Sequence, residues 1–168
     1  GTLELSGTGS TVSGGTISVN AGTLLVDSAT GAGSDAVTAT GASTTVGGTG
    51  TIGGAVSMNA GTILSPGKSA AAGATLTCSS GVTFSGGAKA TFDLSSLAAS
   101  GNDKVVVTGA LTIGSADTIT INPITASTLE TADYTLFTAS SVGGTGTPTL
   151  NWGSSTPANA ADYSLVKN

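Results

Sequence analysis

The sequence predicts an all-β chain folded as a β-solenoid of short strands, on three observations. Apolar residues alternate with Ser and Thr in runs of four or five, Gly and Asn recur between the runs, and one segment of eleven residues returns 39 positions later. Alternating runs bounded by Gly and Asn are typical of half-buried strands, and repetition is typical of stacked coils. A β-sandwich is the alternative, because it also consists of many short strands.

The repeat relates Gly15–Leu25 to Gly54–Leu64. Seven of the eleven residues are identical, and three of the four differences exchange one apolar residue for another. Two short strands flank Asn-Ala-Gly in each copy, so we predict chain corners between them. The predicted corner residues are Asn20, Gly22, Asn59 and Gly61. Gly and Asn adopt positive φ more readily than other residues, so we expect both Asn residues in the left-handed turn conformation, with a stacked amide ladder as the alternative.

The composition excludes several classes of function. The chain has no His and no Arg, four Lys and a net charge of −5. These absences exclude His-based catalytic triads and imidazole zinc sites, and they leave no basic surface for nucleic acid. Apolar stretches are far shorter than the ~20 residues of a membrane-spanning helix, so we predict no membrane insertion. Gly31–Asp35 resembles a calcium-binding turn but does not repeat, so we predict neither metal nor cofactor.

The acidic residues offer no catalytic pair of the expected kind. Asp103 with Asp117, and Glu130 with Asp133, are the candidate carboxylate pairs for glycosidase chemistry. Such sites usually also need Arg, Lys or aromatic side chains around the sugar, and the few aromatic residues are expected in the core. We therefore predict that the protein is not an enzyme.

We predict a single domain over residues 1–168, with a Gly/Thr-rich repeat (1–69), a heavier β region (70–152) and a linker plus terminal strand (153–168). All aromatic residues lie after residue 80, which indicates a thicker or capping C-terminal part. The terminal strand is predicted at Asp162–Lys167, where it would fold back or add to a neighbouring molecule. Cys78, in an alternating run, is predicted to be a buried apolar side chain. The candidate assembly residues are Trp152, Tyr163, Leu165 and Val166.

Several segments resemble the autotransporter-associated β-strand repeat of bacterial passenger domains. The resemblance is carried by Gly1–Gly7, Val12–Val26, Gly48–Val56 and Ala60–Ser69, and more loosely by Asn102–Ile113 and Tyr134–Phe137. It implies a right-handed β-helical stalk, secreted or displayed on the cell surface, with a structural or adhesive role. The sequence departs from the family at Ser10–Val12, where an Asn-Thr-Tyr is common. It also ends at Asn168 without an outer-membrane barrel, so we expect a stand-alone secreted protein.

The functional expectation is a non-enzymatic structural protein, extracellular or on the bacterial cell surface. Open solenoid ends expose unpaired backbone, so we expect self-assembly through these ends, or by strand exchange, into a fibre or surface layer. The expected partner is a second copy of the chain. The alternative is an adhesin or glycan-binding stalk fragment of a larger surface protein, with a surface glycan as its partner.

Overall fold

The computed structural model describes residues 1–8, 12, 14–29, 32–69, 71, 73–124 and 128–168. The described chain is all-β, and every pairing between two of its strands is parallel. Parallel strands in stacked sheets are consistent with the predicted β-solenoid. The β-sandwich alternative is wrong, because sandwich sheets are built from antiparallel strands.

The described strands form three sheets. Sheet I consists, in spatial order, of β1 (Thr2–Leu5), β3 (Thr23–Val26), β5 (Thr45–Gly48), β8 (Ile63–Pro66), β11 (Lys89–Leu94), β14 (Thr118–Pro123) and β17 (Thr149–Trp152). Sheet II consists of β2 (Thr16–Val19), β4 (Ala36–Ala39), β7 (Val56–Met58), β10 (Val82–Phe84), β13 (Ala110–Thr112) and β16 (Ser141–Gly143). Sheet III consists of β6 (Thr51–Ile52), β9 (Thr75–Cys78), β12 (Lys104–Val107) and β15 (Phe137–Thr138). A 3-10 turn at Ala160–Asp162 follows the last strand.

From β5 onward the chain visits sheets I, III and II in turn, and one such circuit is one coil. The last coils are longer than the first. On sheet I, Thr2 lies beside Thr23, whereas Thr118 lies beside Thr149, so the later circuit takes up more of the sequence. The sequence repeat spans two coils, because Ile17 pairs with Val37 and Val37 with Val56.

The core consists of side chains from alternate strand positions, stacked in columns along the solenoid. Leu24 and Leu64 belong to one column of sheet I and are at most 1% exposed. Farther along, Phe92 lies edge-on to Phe137 with ring centroids 5.1 Å apart, and Phe84 lies edge-on to Phe137 at 6.3 Å. These three rings come from three different sheets, so the longer coils enclose a bulkier core.

Cys78 lies on the inner side of β9 and is fully buried, as predicted. Burial without a nearby positive charge raises the pKa of its thiol to about 12. The thiol is therefore protonated at neutral pH and packs as a small apolar group.

At the corners, the left-handed backbone conformation is adopted by Gly and not by Asn. Gly22 and Gly61 both have φ of 81°, but Asn20 and Asn59 do not have positive φ, so the left-handed conformation predicted for the two Asn residues is wrong. The glycine two positions later already provides the reversal of the chain. The Asn residues also lie two coils apart, with Thr40 between them, and the Thr40 hydroxyl donates a hydrogen bond to Asn20 Oδ1 at 2.8 Å.

Among the described residues, no helix has the length and apolar character needed to cross a membrane.

Candidate assembly surfaces at the two ends of the solenoid

The N-terminal end of the described solenoid is open. Among the described residues, β1 pairs only with β3 and β2 only with β4, so one edge of each strand has no partner strand. Leu3 is 59% exposed, although Leu24, its neighbour in the same inward column, is buried. An open depression of about 370 Å³ lies beside these strands, with Leu3, Ile17, Val19 and Leu24 in its wall. This end combines exposed apolar side chains with unpaired strand edges.

The C-terminal end is covered by the tail, defined here as residues 153–168. The Tyr163 ring packs edge-on against Trp152, with centroids 6.0 Å apart, and against Tyr134 at 6.2 Å. The Tyr163 hydroxyl donates a hydrogen bond to the Glu130 carbonyl oxygen. Leu165 also packs against the core. The tail therefore extends the apolar core past the last strand.

Polar contacts hold the tail at two further points. Lys167 Nζ donates to the carbonyl oxygens of Ile113 at 2.6 Å and Gly144 at 3.3 Å, which directly follow strands of sheet II. The Asn159 side chain both donates to and accepts from the backbone of Leu129, at 2.9 and 3.2 Å. The tail thus donates hydrogen bonds to backbone carbonyl groups of the last two coils.

The candidate assembly residues separate into two groups. Trp152, Tyr163 and Leu165 are half-buried in contacts within the chain, whereas Val166 is 72% exposed. The strand predicted at Asp162–Lys167 does not form. A 3-10 turn and an irregular segment occupy this stretch, because the tail is bound through side chains rather than through a backbone ladder.

The buried aspartates connect neighbouring coils. Asp103 Oδ1 accepts the N–H of Ala74 at 2.9 Å, and Asp117 Oδ1 accepts the N–H of Ala88 at 3.2 Å. Each of these bonds joins one coil to the coil before it, as the pairing of β9 with β12 and of β11 with β14 shows. The second oxygens accept the N–H groups of Asp93 at 3.1 Å and Gly114 at 2.9 Å. Burial raises the pKa of Asp103 above its ordinary value, although its hydrogen bonds oppose the shift.

This linking role was missed from the sequence, because nothing in the spacing of the acidic residues reveals which coil lies beside them. Asp35 repeats the pattern near the N-terminus, where its Oδ1 accepts the N–H groups of Gly14 and Gly15 at 2.6 and 2.9 Å. Gly31, the first residue of the segment that resembles a calcium-binding turn, lies outside the described residues. Within the described part of the chain, no three His, Cys, Asp or Glu residues are grouped to hold a metal ion.

The pair Glu130 and Asp133 lies in the segment under the tail. Glu130 Oε2 accepts the N–H of Ala98 at 2.7 Å, and Asp133 is exposed. Burial raises the pKa of the neighbouring Tyr134 hydroxyl, which donates to the Ser96 carbonyl oxygen at 3.0 Å. The Glu130 carboxylate is therefore engaged in a hydrogen bond that holds a loop.

A polar groove runs along the outer face of sheet I. Lys68 Nζ lies 2.7 Å from Glu4 Oε1 and 3.2 Å from Asp27 Oδ2. The hydrogen bond to Glu4 is the main reason that the pKa of Lys68 is raised, and the hydrogen bond to Asp27 adds to it. Beside this cluster is an open depression of about 360 Å³, whose wall includes Lys68, Asp93, Asn122 and several Ser and Thr hydroxyls. Asn122 Nδ2 donates to Asp93 Oδ1 at 2.9 Å.

Comparison with protein-family models, curated proteins and solved structures finds no match for this chain.

Proposed function

We propose that the protein is a non-enzymatic structural protein of the extracellular or bacterial cell-surface kind, which associates with copies of itself through the open end of the described solenoid. The observation that carries this proposal is the difference between the two ends. The tail covers the last coil, whereas β1 and β2 have free edges among the described residues. A free parallel edge is a template for a further strand, and most folds cover such edges.

The energetics favour covering this end. Leu3 is 59% exposed and Ile17 is half-buried at the open end. Burial of apolar surface contributes about 25 cal/mol per Å², and strand pairing adds backbone hydrogen bonds that water otherwise supplies. Association at this end removes both kinds of exposed group from water at once.

A fibre or surface layer also needs lateral contacts, and the outer face of sheet II suits them. The described strands of sheet II carry no charged residue. One outward column along this face consists of hydroxyl side chains, Ser18, Thr38, Ser57, Thr83 and Thr112. Two such faces would approach without electrostatic repulsion.

The extracellular assignment rests on the sequence. Its support is the resemblance to the autotransporter-associated repeat together with a composition rich in Ser and Thr, with only four Lys and no Arg. Ser and Thr on the outer faces of the strands suit this assignment, because they favour extended backbone and their hydroxyls are solvated without adding charge.

Sedimentation velocity and electron microscopy over a range of protein concentrations test self-assembly. Leu3→Glu places a charge at the open end and should reduce assembly, whereas Val166→Glu is a matched control because Val166 is exposed on the tail. Equal assembly by the two variants would show that association does not use the open end. Uniform monomers of the unmodified protein at every concentration would overturn it.

A second candidate is glycan binding at the polar groove of sheet I, which would make the protein an adhesive stalk. The groove offers hydroxyls, a carboxylate and an amide together with Lys68, the polar groups that bind sugar hydroxyls. Titration calorimetry with surface polysaccharides tests it. Lys68→Ala should weaken binding, and Lys89→Ala, on the same sheet outside the depression, should not.

A further inference from the structure

We infer that the polar groove of sheet I binds a linear glycan without acidic groups, which lies across successive strands of the sheet. This inference rests on glycan binding, the second candidate function proposed above, and it names the class of ligand. The groove's direction, its lack of a free strand edge, its fixed wall and its charges together favour this ligand.

The groove crosses the strands of sheet I instead of following one of them. Hydroxyl groups line it from four successive strands, with Thr23 on β3, Thr45 on β5, Ser65 on β8 and Thr91 on β11. Neighbouring strands lie about 4.7–4.9 Å apart, so one strand that carries a hydroxyl follows the next at this interval. A ligand that contacts all four strands is therefore a linear molecule whose polar groups recur along its length.

The groove offers polar side chains but no free strand edge. The strands β3, β5, β8 and β11 each pair with a neighbour on both sides, so the sheet already engages their backbone groups. An extended peptide binds a sheet chiefly through free backbone groups at an edge. Protein hydroxyls both donate and accept hydrogen bonds, as sugar hydroxyls do. The groove therefore matches a glycan better than a peptide.

One wall of the groove is a strap, defined here as residues 67–69. Gly48 and Gly67 exchange two backbone hydrogen bonds, at 3.1 and 2.9 Å, which attach the strap to β5. Lys68 of the strap also lies 2.7 Å from Glu4 on β1. Because these contacts fix the wall in the free protein, little conformational entropy is lost when a ligand binds.

The charges in and beside the groove disfavour an acidic ligand. Of the described residues that line the groove, Lys68 alone is positively charged, and Glu4 and Asp27 lie 2.7 and 3.2 Å from its Nζ. Asp93 adds a third carboxylate, whose Oδ1 accepts a hydrogen bond from the neutral Asn122 side chain. With one cation against three carboxylates, the groove repels an acidic polymer.

Asp93 provides a strong acceptor for a sugar hydroxyl. The residue lines the groove although it is only 6% exposed, and among the described residues only its Oδ1 accepts a side-chain hydrogen bond. A sugar hydroxyl that donates to Oδ2 would make a charge-assisted bond, about twice as strong as a bond between neutral groups. An uncharged glycan supplies such a donor without adding a second negative charge.

The described lining of the groove contains no aromatic ring. Aromatic side chains supply the largest contact areas in binding sites, so without them each sugar unit contributes little to the affinity. Binding therefore accumulates along the polymer, and a short oligosaccharide should compete less well than a long one of the same composition.

Affinity gel electrophoresis of the whole chain tests the inference. The uncharged probes are mixed-linkage glucan, glucomannan and pullulan, and the acidic probes are polygalacturonate, alginate and hyaluronan. Thr91→Val and Thr118→Val are matched variants, because both residues are half-buried on the outer face of sheet I but only Thr91 lines the groove. Each change replaces a hydroxyl by a methyl group of similar size, and circular dichroism checks the fold.

We expect at least one uncharged polymer to retard the protein, to the same extent at low and high salt, and the acidic polymers to have no effect. Thr91→Val should weaken this binding about two- to tenfold, the effect of one hydrogen bond, whereas Thr118→Val should leave it unchanged.

Three results would overturn the inference. Binding of an acidic polymer would do so while leaving glycan binding itself in place. Equal binding by the Thr91→Val variant and the unmodified protein would show that the glycan lies outside the groove. Retardation by none of the polymers would overturn both the inference and the second candidate function, and it would leave the proposed self-association unaffected.

Discussion

Asp117 and Ala88 lie in neighbouring coils, far apart in the sequence, yet the Asp117 carboxylate accepts the Ala88 N–H at 3.2 Å. Its other oxygen accepts the N–H of Gly114 at 2.9 Å, and the side chain is 2% exposed. One buried side chain thereby joins two coils and holds its own corner. Since Asp103 joins its coil to Ala74 in the same way, buried aspartates are a recurring link between coils.

Replacing Asp117 with Ala should destabilise the fold. The change leaves the buried N–H of Ala88 and the half-buried N–H of Gly114 without their acceptor, and an unsatisfied buried group costs about 1–3 kcal/mol. Urea denaturation should therefore show a clear fall in the free energy of unfolding. Asp133→Ala is the control, because Asp133 is exposed, and it should change this free energy by less than about 0.5 kcal/mol. Equal stability of the two variants would contradict the linking role.

The Asp103 carboxyl should make the stability of the folded protein depend on pH. Burial raises its pKa in the folded protein above the ordinary 3.8, so the folded state holds the proton more tightly than the unfolded chain does. The resulting stability is fully present below pH 3.8 and is lost as pH rises through the raised pKa. Asp103→Asn cannot titrate and should lack this fall.

The measurement is the difference in free energy of unfolding between Asp103→Asn and the unmodified protein, from urea denaturation between pH 3.5 and pH 7. The difference should shift in favour of the variant as pH rises. A difference that stays constant over this range would mean that the carboxyl has its ordinary pKa.

Tyr163 should anchor the tail. Tyr163→Ala removes a ring that contacts Trp152 and Tyr134, and it removes the hydrogen bond to Glu130. Each aromatic pair contributes about 0.5–1.5 kcal/mol beyond the burial of its area, so we expect a loss of about 2 kcal/mol. Hydrogen exchange should accelerate in β16 and β17 but not in β3 and β5. Val166→Ala, at a 72% exposed position of the same tail, is the control and should leave the exchange unchanged.

The Cys78 thiol should be inert in the folded protein. It is fully buried and its pKa is raised to about 12, so the reactive thiolate is neither accessible nor populated at pH 8. A disulfide reagent should modify it only after denaturant is added. The matched control is Thr77→Cys in a Cys78→Ala background, which moves the thiol to the half-buried outer face of the same strand and should react without denaturant. Rapid modification of native Cys78 would show that sheet III opens readily.

Gly15 and Gly54 occupy equivalent positions in the sequence repeat but should differ in tolerance to Ala. A Cβ at Gly54 would overlap the backbone of Asp35 in the preceding coil, whereas a Cβ at Gly15 would have nothing within 4 Å. Gly54→Ala should therefore lower the midpoint of thermal unfolding by several degrees, and Gly15→Ala should leave it nearly unchanged. Equal effects would show that the coil spacing relaxes to admit a methyl group.

The fold class was predictable because it depends on local pattern. Alternation in Thr23–Val26 and Thr118–Pro123 reveals which side chains point inward, and Gly22 and Gly61 mark the corners. The assembly residues were harder to interpret. The apolar character of Tyr163 and Leu165 shows only that they need burial, and both the same chain and a neighbouring molecule satisfy that need.

By itself, the sequence determined the all-β class, the alternating inward columns, the buried Cys78 and the recurrence of corners at Gly22 and Gly61. Only the tertiary structure decided that the sequence repeat is two coils, that Asp117 reaches Ala88 and that the tail covers one end. The physical reason is the range of the interactions. Alternation and turn geometry act between adjacent residues. Contacts between coils depend instead on the number of residues in each circuit. The circuit from Thr45 to Ile63 contains far fewer residues than the circuit from Thr118 to Thr149.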